Sequence, residues 1–220
     1  SFTTDGEILE ANDNFLSAMG YQASEVVGKH HRIFVDSEYA SSDEYVQFWQ
    51  RLKSGDVHSG EFRRISKEGK EVWIQASYNP VFDAQGKVKY IIKFASDITA
   101  QKQKNADYES QITAINKSQA VIEFDLKGTI LNANKNFLTT MGYTLDEVKG
   151  HHHSMFVEPS FKLSPDYSAF WQQLRSGEHS EGEFKRIGKE GKEVWIRASY
   201  NPIMDSTGKP FKVVKYATDV

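Results

Sequence analysis

Residues 60–88 read GEFRRISKEGKEVWIQASYNPVFDAQGKV, and residues 182–210 read GEFKRIGKEGKEVWIRASYNPIMDSTGKP. In Glu71–Tyr78 the side chains sort with a period of two. Val72, Ile74, Ala76 and Tyr78 share one face, and Trp73, Gln75 and Ser77 share the other, the pattern of a half-buried strand. The shorter, more polar Glu61–Ile65 precedes it, and Lys67–Lys70 between them places Gly69 where a turn needs positive φ. Asn79-Pro80 predicts the end of that strand, because proline cannot donate to a central ladder. Asp83–Lys87 forms a second turn, and Val88–Ser96, β-branched and aromatic, reads as a third strand. Three consecutive antiparallel strands closing on Asp97-Ile98-Thr99 form the sheet half of a small α+β domain.

The repeat runs far beyond this stretch. A shift of 122 lays residues 1–98 on 123–220 without a gap, with 51 of the 98 positions identical. Two copies of one fold follow, each large enough for its own core. The expected organisation is a first domain at 1–98, a linker at 99–119 and a second domain at 120–220. The second copy opens with a strand, Ala120–Phe124, of which the first keeps Ser1-Phe2, so the first strand of copy one is expected to begin upstream.

Between the opening strand and the hairpins each copy is helical. Asn12 is a helix N-cap, Phe15, Leu16 and Met19 share a face, and Gly20 closes the helix; Asn134 and Gly142 repeat this. A short helical piece at Ser24–Val27 or Leu145–Val148 stops at Gly28 or Gly150. A histidine-rich segment follows, Lys29–Phe34 against His151–Phe156. The longest helices are expected at Ser42–Lys53 and Pro165–Arg175, with Tyr45, Phe48, Trp49 and Leu52 at helical spacing. Residues 99–119 lack Gly and Pro and read as a helix. Ile98, Gln101, Asn105, Tyr108, Ile112, Ile115 and Gln119 form a seam spaced by threes and fours, either a solvated spacer or a dimerising, signal-carrying helix.

The net charge of −3 and pI near 6.2 supply no basic field for nucleic acid or an anionic membrane surface. Zero cysteines remove disulfides, thiolate metal sites, cysteine nucleophiles and cysteinyl-flavin photochemistry together. No apolar run approaches the roughly 20 residues of a membrane helix and no signal peptide opens the chain, so a cytoplasmic protein is expected. There is no Walker loop, no Gly-x-Ser-x-Gly elbow and no acid pair outside turns, so no catalytic residue is assigned and no enzyme is expected. The i, i+4 histidine spacing of a helical zinc site is absent too, and no metal site is assigned.

Gly6, Asn12, the Phe15–Tyr21 run, Phe48-Trp49, Gly60–Phe62, Lys67–Trp73, Asn79-Pro80, Asp83, Gly86 and the closing Asp97-Ile98-Thr99 together resemble a PAS domain, and copy two repeats nearly all of them. The resemblance implies two PAS domains, each a five-stranded antiparallel sheet with short helices on one face, joined by a helical linker. The spacing is similar to the redox-sensing PAS domains of aerotaxis transducers. The two-unit arrangement is similar to the tandem-PAS sensory half of soluble methyl-accepting chemoreceptors, biofilm-dispersion regulators among them. It implies a cytoplasmic sensory and dimerisation module in chemotaxis, a homodimer, detecting a redox, oxygen or small-molecule cue for a downstream chemoreceptor signalling domain.

Candidate site residues follow from the same two sources. In flavin-binding relatives the positions of Trp49 and Trp171, and of Asn12 and Asn134, form or support the pocket, which makes FAD the first cofactor expected. His31 and His153 occupy the region where some haem-binding PAS domains carry their axial ligand, which makes haem b the second. Alternation puts Arg64 with Phe62 and Arg186 with Phe184; an outward guanidinium is solvated, and an inward one needs an acceptor. The competing expectation is a structural pair with filled cores, associating and relaying without any ligand.

Overall fold

The computed structural model describes all 220 residues, Ser1–Val220, as two units, Ser1–Tyr108 and Glu109–Val220. In unit 1, α1 (Asp13–Met19), α2 (Ala23–Val26), a 3-10 turn (His31–Phe34), α3 (Ser37–Ala40) and α4 (Asp43–Ser54) precede β1 (His58–Ile65), β2 (Glu71–Phe82) and β3 (Val88–Asp97). Sequence chemistry accounts for the helix ends. Asn12 accepts the Phe15 N–H, Ser42 accepts that of Tyr45, and Gly20 and Gly55 close α1 and α4 in the left-handed region. α4 turns Tyr45, Phe48, Trp49 and Leu52 inward against Val72, Ile74, Ala76 and Tyr78 of β2. Each large apolar side chain buried this way stabilises by about 1.5–3 kcal/mol.

β1, β2 and β3 form an antiparallel sheet in that order. The expected opening strands are reduced in unit 1 to Phe2, which makes single bridges to Ile8 and Ile91. β2 also runs past Pro80 to Phe82, contrary to the expected stop. The reason is local. β1 ends opposite Tyr78, and Ile91, the partner of Pro80, spends its N–H and C=O on Phe2. Pro80 therefore sits where its missing donor faces an unpaired edge.

A helix, α5 (Thr99–Ser118), follows β3 and leads into unit 2. There β4 (Ala120–Phe124), β5 (Ile130–Ala133), α6 (Lys135–Met141), α7 (Leu145–Val148), a 3-10 turn (His153–Phe156), α8 (Pro159–Lys162) and α9 (Pro165–Arg175) precede β6 (Ser180–Ile187), β7 (Glu193–Met204) and β8 (Pro210–Asp219). The sheet is complete, in the order β5-β4-β8-β7-β6 and antiparallel throughout. Its core of Ile122, Phe124, Phe137, Phe156, Trp171, Ile196 and Tyr200 repeats that of unit 1. No helix is long and apolar enough to cross a membrane.

Candidate functional site

Each unit buries a chain of polar side chains between sheet and helices. His31 is 0% exposed, delivered by the 3-10 turn. Its Nδ1 lies 2.8 Å from the Tyr45 hydroxyl on α4 and its Nε2 3.0 Å from the Tyr78 hydroxyl on β2. Arg64 on β1 donates through NH2 to Tyr78 at 2.9 Å and through NH1 to its neighbour's carbonyl, with the guanidinium 4.9 Å above Phe62. Unit 2 repeats this with His153 between Tyr167 (2.8 Å) and Tyr200 (3.0 Å), and Arg186 donating to Tyr200 at 2.9 Å.

Burial, reinforced by Arg64 and Lys93, holds the His31 pKa well below its usual value; burial with Arg186 and Lys215 does the same for His153. A neutral imidazole donates at one nitrogen and accepts at the other, which matches two hydroxyl neighbours. Burial also pushes Tyr45 and Tyr167 up to about 12. Arg64, 2% exposed, finds a phenol and a carbonyl where a carboxylate or ligand was the expected acceptor, and its solvated alternative is excluded.

The adjacent histidines serve different ends. His30 accepts the Arg32 N–H at Nδ1 and bonds the Asp5 carbonyl through Nε2 at 2.8 Å, a neutral ring donating at Nε2. It packs so closely on Gly6 that a Cβ there would lie 2.7 Å from Nε2 and 2.9 Å from the Trp49 ring. Gly6, at φ +90°, is therefore required by space as well as by backbone. Gly128 repeats the arrangement against His152 and Trp171.

Trp49 is 7% exposed, with ring neighbours Phe2, His30, His31 and Phe48; Trp171 is enclosed by Phe124, His152, His153 and Phe170. These packed indoles do not fit a stacked flavin. His31 and His153, engaged at both nitrogens, do not fit an iron ligand. The eight expected residues thus divide. His31, Trp49 and Arg64, with His153, Trp171 and Arg186, meet in the polar interiors; Asn12 and Asn134 stand apart as helix caps.

Unit 1 also holds a hollow of about 860 Å³ between α1 and the sheet, walled by Asn12, Phe15, Met19, Phe34, Ile74, Ala76 and Lys93, and continuing along Ile92–Asp97 of β3. Its β3 wall, Lys93–Ala95, is the stretch whose unit 2 counterpart pairs with Ala120–Ile122 of β4. Of the expected residues in unit 1 only Asn12 lines it. The sequence reading missed Lys93 altogether. Its Nζ is buried without a hydrogen-bond partner, 4.6 Å from the Phe15 ring and 5.2 Å from that of Tyr78. Burial, then Arg64, holds its pKa well below the usual lysine value. The available signal was position: Lys93 stands opposite inward Tyr78, and Lys215 repeats it opposite Tyr200.

Asn134 is a cap with a second duty. Its Oδ1 accepts the Phe137 and Val121 N–H groups, and its Nδ2 donates to the Asn116 and Gln119 carbonyls at 3.1 and 2.8 Å. Asn136 adds donors to Asn116, Lys117 and Gln119. Asn134, which caps α6, and Asn136 within it thereby hold the carboxy-terminal end of α5.

A family model described as PAS fold matches residues 8–95 and again residues 130–217. Over 219 residues, all of this chain and 52% of the relative, the sequence is 45% identical to the biofilm dispersion protein BdlA of Pseudomonas aeruginosa. It is 24% identical over 208 residues to the oxygen sensor protein DosP of Escherichia coli, covering 90% of this chain and 25% of DosP. Against the Escherichia coli aerotaxis receptor it is 34% identical over 80 residues, 36% of this chain and 16% of the receptor. The chain spans about half the length of BdlA and a quarter or less of the other two. With two matches to the family model and the same buried architecture in both halves, the chain belongs to the PAS family and carries two of its units.

Proposed function

We propose that this chain is the sensory and dimerisation part of a cytoplasmic signalling protein, a chemoreceptor, in which unit 1 receives a small-molecule cue and unit 2 relays it to a signalling domain beyond Val220. The observation that carries this reading is the joint at the end of β3. The strand that walls the hollow runs directly into α5 through a fixed cap: Asp97 Oδ1 accepts the Thr99 N–H at 2.9 Å and its hydroxyl at 2.6 Å, while Thr99 Oγ1 accepts the Trp73 N–H at 2.9 Å. A change in the wall is therefore a change at the first turn of a helix whose other end is clamped by Asn134 and Asn136. Such a switch responds to a ligand only by the difference in affinity between its two states.

The names of BdlA, DosP and the aerotaxis receptor support a sensory role. Tyr108, Ile112 and Ile115 on α5 are exposed apolar residues, the seam on which two copies would pair; Ile112→Glu should convert a dimer to a monomer in light scattering. The filled-core reading is favoured for unit 2, whose His153, Tyr167, Tyr200 and Lys215 lie under a complete sheet. The direct test is a small-molecule screen by thermal shift with hydrogen exchange on α5. A binder should raise the melting temperature by linkage and alter exchange in residues 99–108. A chain whose melting point and α5 exchange ignore every compound is a structural pair only.

A further inference from the structure

β1 is the outermost strand of the unit 1 sheet, eight residues long, without proline or bulge, and no strand pairs with its far side. The Ser66 N–H bonds the Lys70 carbonyl. Alternation from that bond turns the backbone groups of Arg64, Phe62 and Gly60 toward β2 and those of Ile65, Arg63, Glu61 and Ser59 away from it. Trp73 agrees: it stands opposite Arg63, yet its N–H bonds Thr99 and its C=O bonds Ile98. The Arg63 carbonyl accepts Arg64 Nη1 and keeps a second lone pair. Ser59, Glu61 and Arg63 are exposed.

Sheet edges are commonly blunted by short length, proline, a bulge or charge. On β1 only charge is present, and its order matches one partner. Glu61-Phe62-Arg63 exchanges its signs when read backwards, so an antiparallel second copy centred on Phe62 sets each Glu61 against the other copy's Arg63. The same register joins outward-facing backbone to outward-facing backbone, with Ser59 opposite Ile65, as an antiparallel ladder requires. On the inner face it sets Arg64 opposite Gly60, which has no side chain to meet it. Centring on Glu61 or on Arg63 instead opposes like charges. We propose that β1 is a self-recognition edge, on which two copies of unit 1 continue one sheet across a two-fold axis at Phe62. The bridges that must rearrange, Glu61 with Lys102 and Arg63 with Asp36 (3.2 Å) and Glu71 (2.6 Å), are exposed and worth at most about 1 kcal/mol each. β6 repeats the order as Glu183-Phe184-Lys185, but lysine lacks the planar fork with which Arg63 meets a carboxylate at two points. The contact is separate from the α5 seam and does not rest on the sensory reading. One strand a side makes it weak, so it forms at high concentration.

The test is sedimentation of the full 220-residue chain from micromolar to millimolar concentration, with Ile112→Glu as the parent so that the α5 seam does not contribute. The parent should associate as concentration rises. Glu61→Arg and Arg63→Glu, added singly, should each weaken that step at least about tenfold, because one edge then carries only cations and the other only anions. Mixed together, these two variants should associate with each other, and the double variant Glu61→Arg/Arg63→Glu should associate like the parent. Recovery on mixing cannot arise from a change in folding. A parent of constant mass across the range, single variants that associate as tightly as the parent, or a mixture no tighter than its components overturns the assignment and leaves the sensory reading where it stood.

Discussion

Unit 1 and unit 2 bury the same imidazole between the same two phenols, but they enclose the lysine opposite the inner phenol to different degrees. In unit 2, β4 pairs along β8, setting Ala120, Val121 and Ile122 opposite Ala217, Tyr216 and Lys215. In unit 1 the same shift places the counterparts of Ala120–Ile122 before Ser1, and Phe94 is 63% exposed. Phe94 lies on the outer face opposite Ser77. The comparison separates two properties of one fold: the His–Tyr–Arg chain is common interior, whereas the lysine beside it is enclosed to different degrees, Lys215 fully and Lys93 in part.

The strongest challenge to the shared half of that comparison is Tyr78→Phe beside Tyr200→Phe. Each removes one hydroxyl and leaves an arginine N–H and a histidine nitrogen without their partner. The expected cost is about 2–3 kcal/mol per unit, read by urea denaturation with hydrogen exchange resolving the two units. Equal losses establish the chain as a common structural element. A loss confined to one unit would mean that the other solvates its interior.

The lysines test the unshared half. Lys215 is fully enclosed, 5.5 Å from Phe137 and 5.0 Å from Tyr200, and burial depresses its pKa well below the usual value. A lysine so depressed carries a stability penalty throughout the neutral range, because the unfolded chain gains a proton that the folded one resists. Lys215→Met should therefore stabilise by about 1–2 kcal/mol, and Lys93→Met by less, since Phe15 over it is only partly covered. A destabilised Lys215→Met would show that the amine holds a polar partner.

The histidines give a pH dependence of the same sign in both units. His31 and His153 have folded pKa values depressed below 6.5, so as pH falls through about 6.5 the unfolded chain binds protons first. Stability is retained above that value and declines between pH 7 and 5, by up to about 1.4 kcal/mol per pH unit for each histidine. Denaturation at pH 7.5 and 5.5 measures it. A flat profile would show both imidazoles reaching solvent.

How much of this was legible in the sequence depends on distance along the chain. Helix ends set by neighbours three residues apart, such as Asn12 with Phe15, were readable, as was the two-fold alternation of β2. What was not readable required pairing between segments far apart. The inward face of β3 follows from Lys93 standing opposite Tyr78, a register that its run of β-branched and aromatic residues does not fix. Likewise Tyr45 and Tyr78 look like core by periodicity; their hydroxyls acquire a role only when His31 arrives from another element. The apparent stop at Pro80 failed because strand termination depends on which neighbour is present.

The smallest expected effect separates a cap from a clamp. Asn12 and Asn134 each accept an N–H from the first turn of a helix, and replacing either by Ala should cost about 1 kcal/mol through that bond. Only Asn134 also holds the Asn116 and Gln119 carbonyls at the end of α5. Asn134→Ala should therefore accelerate hydrogen exchange in β4 and in residues 112–118, whereas Asn12→Ala should leave both segments unchanged. If Asn136 alone suffices to hold the helix end, exchange there stays slow in Asn134→Ala and rises only in the double variant with Asn136→Ala. If it stays slow in the double variant as well, packing rather than these amides fixes α5 to unit 2, and coupling from the first unit to the second does not run through α6.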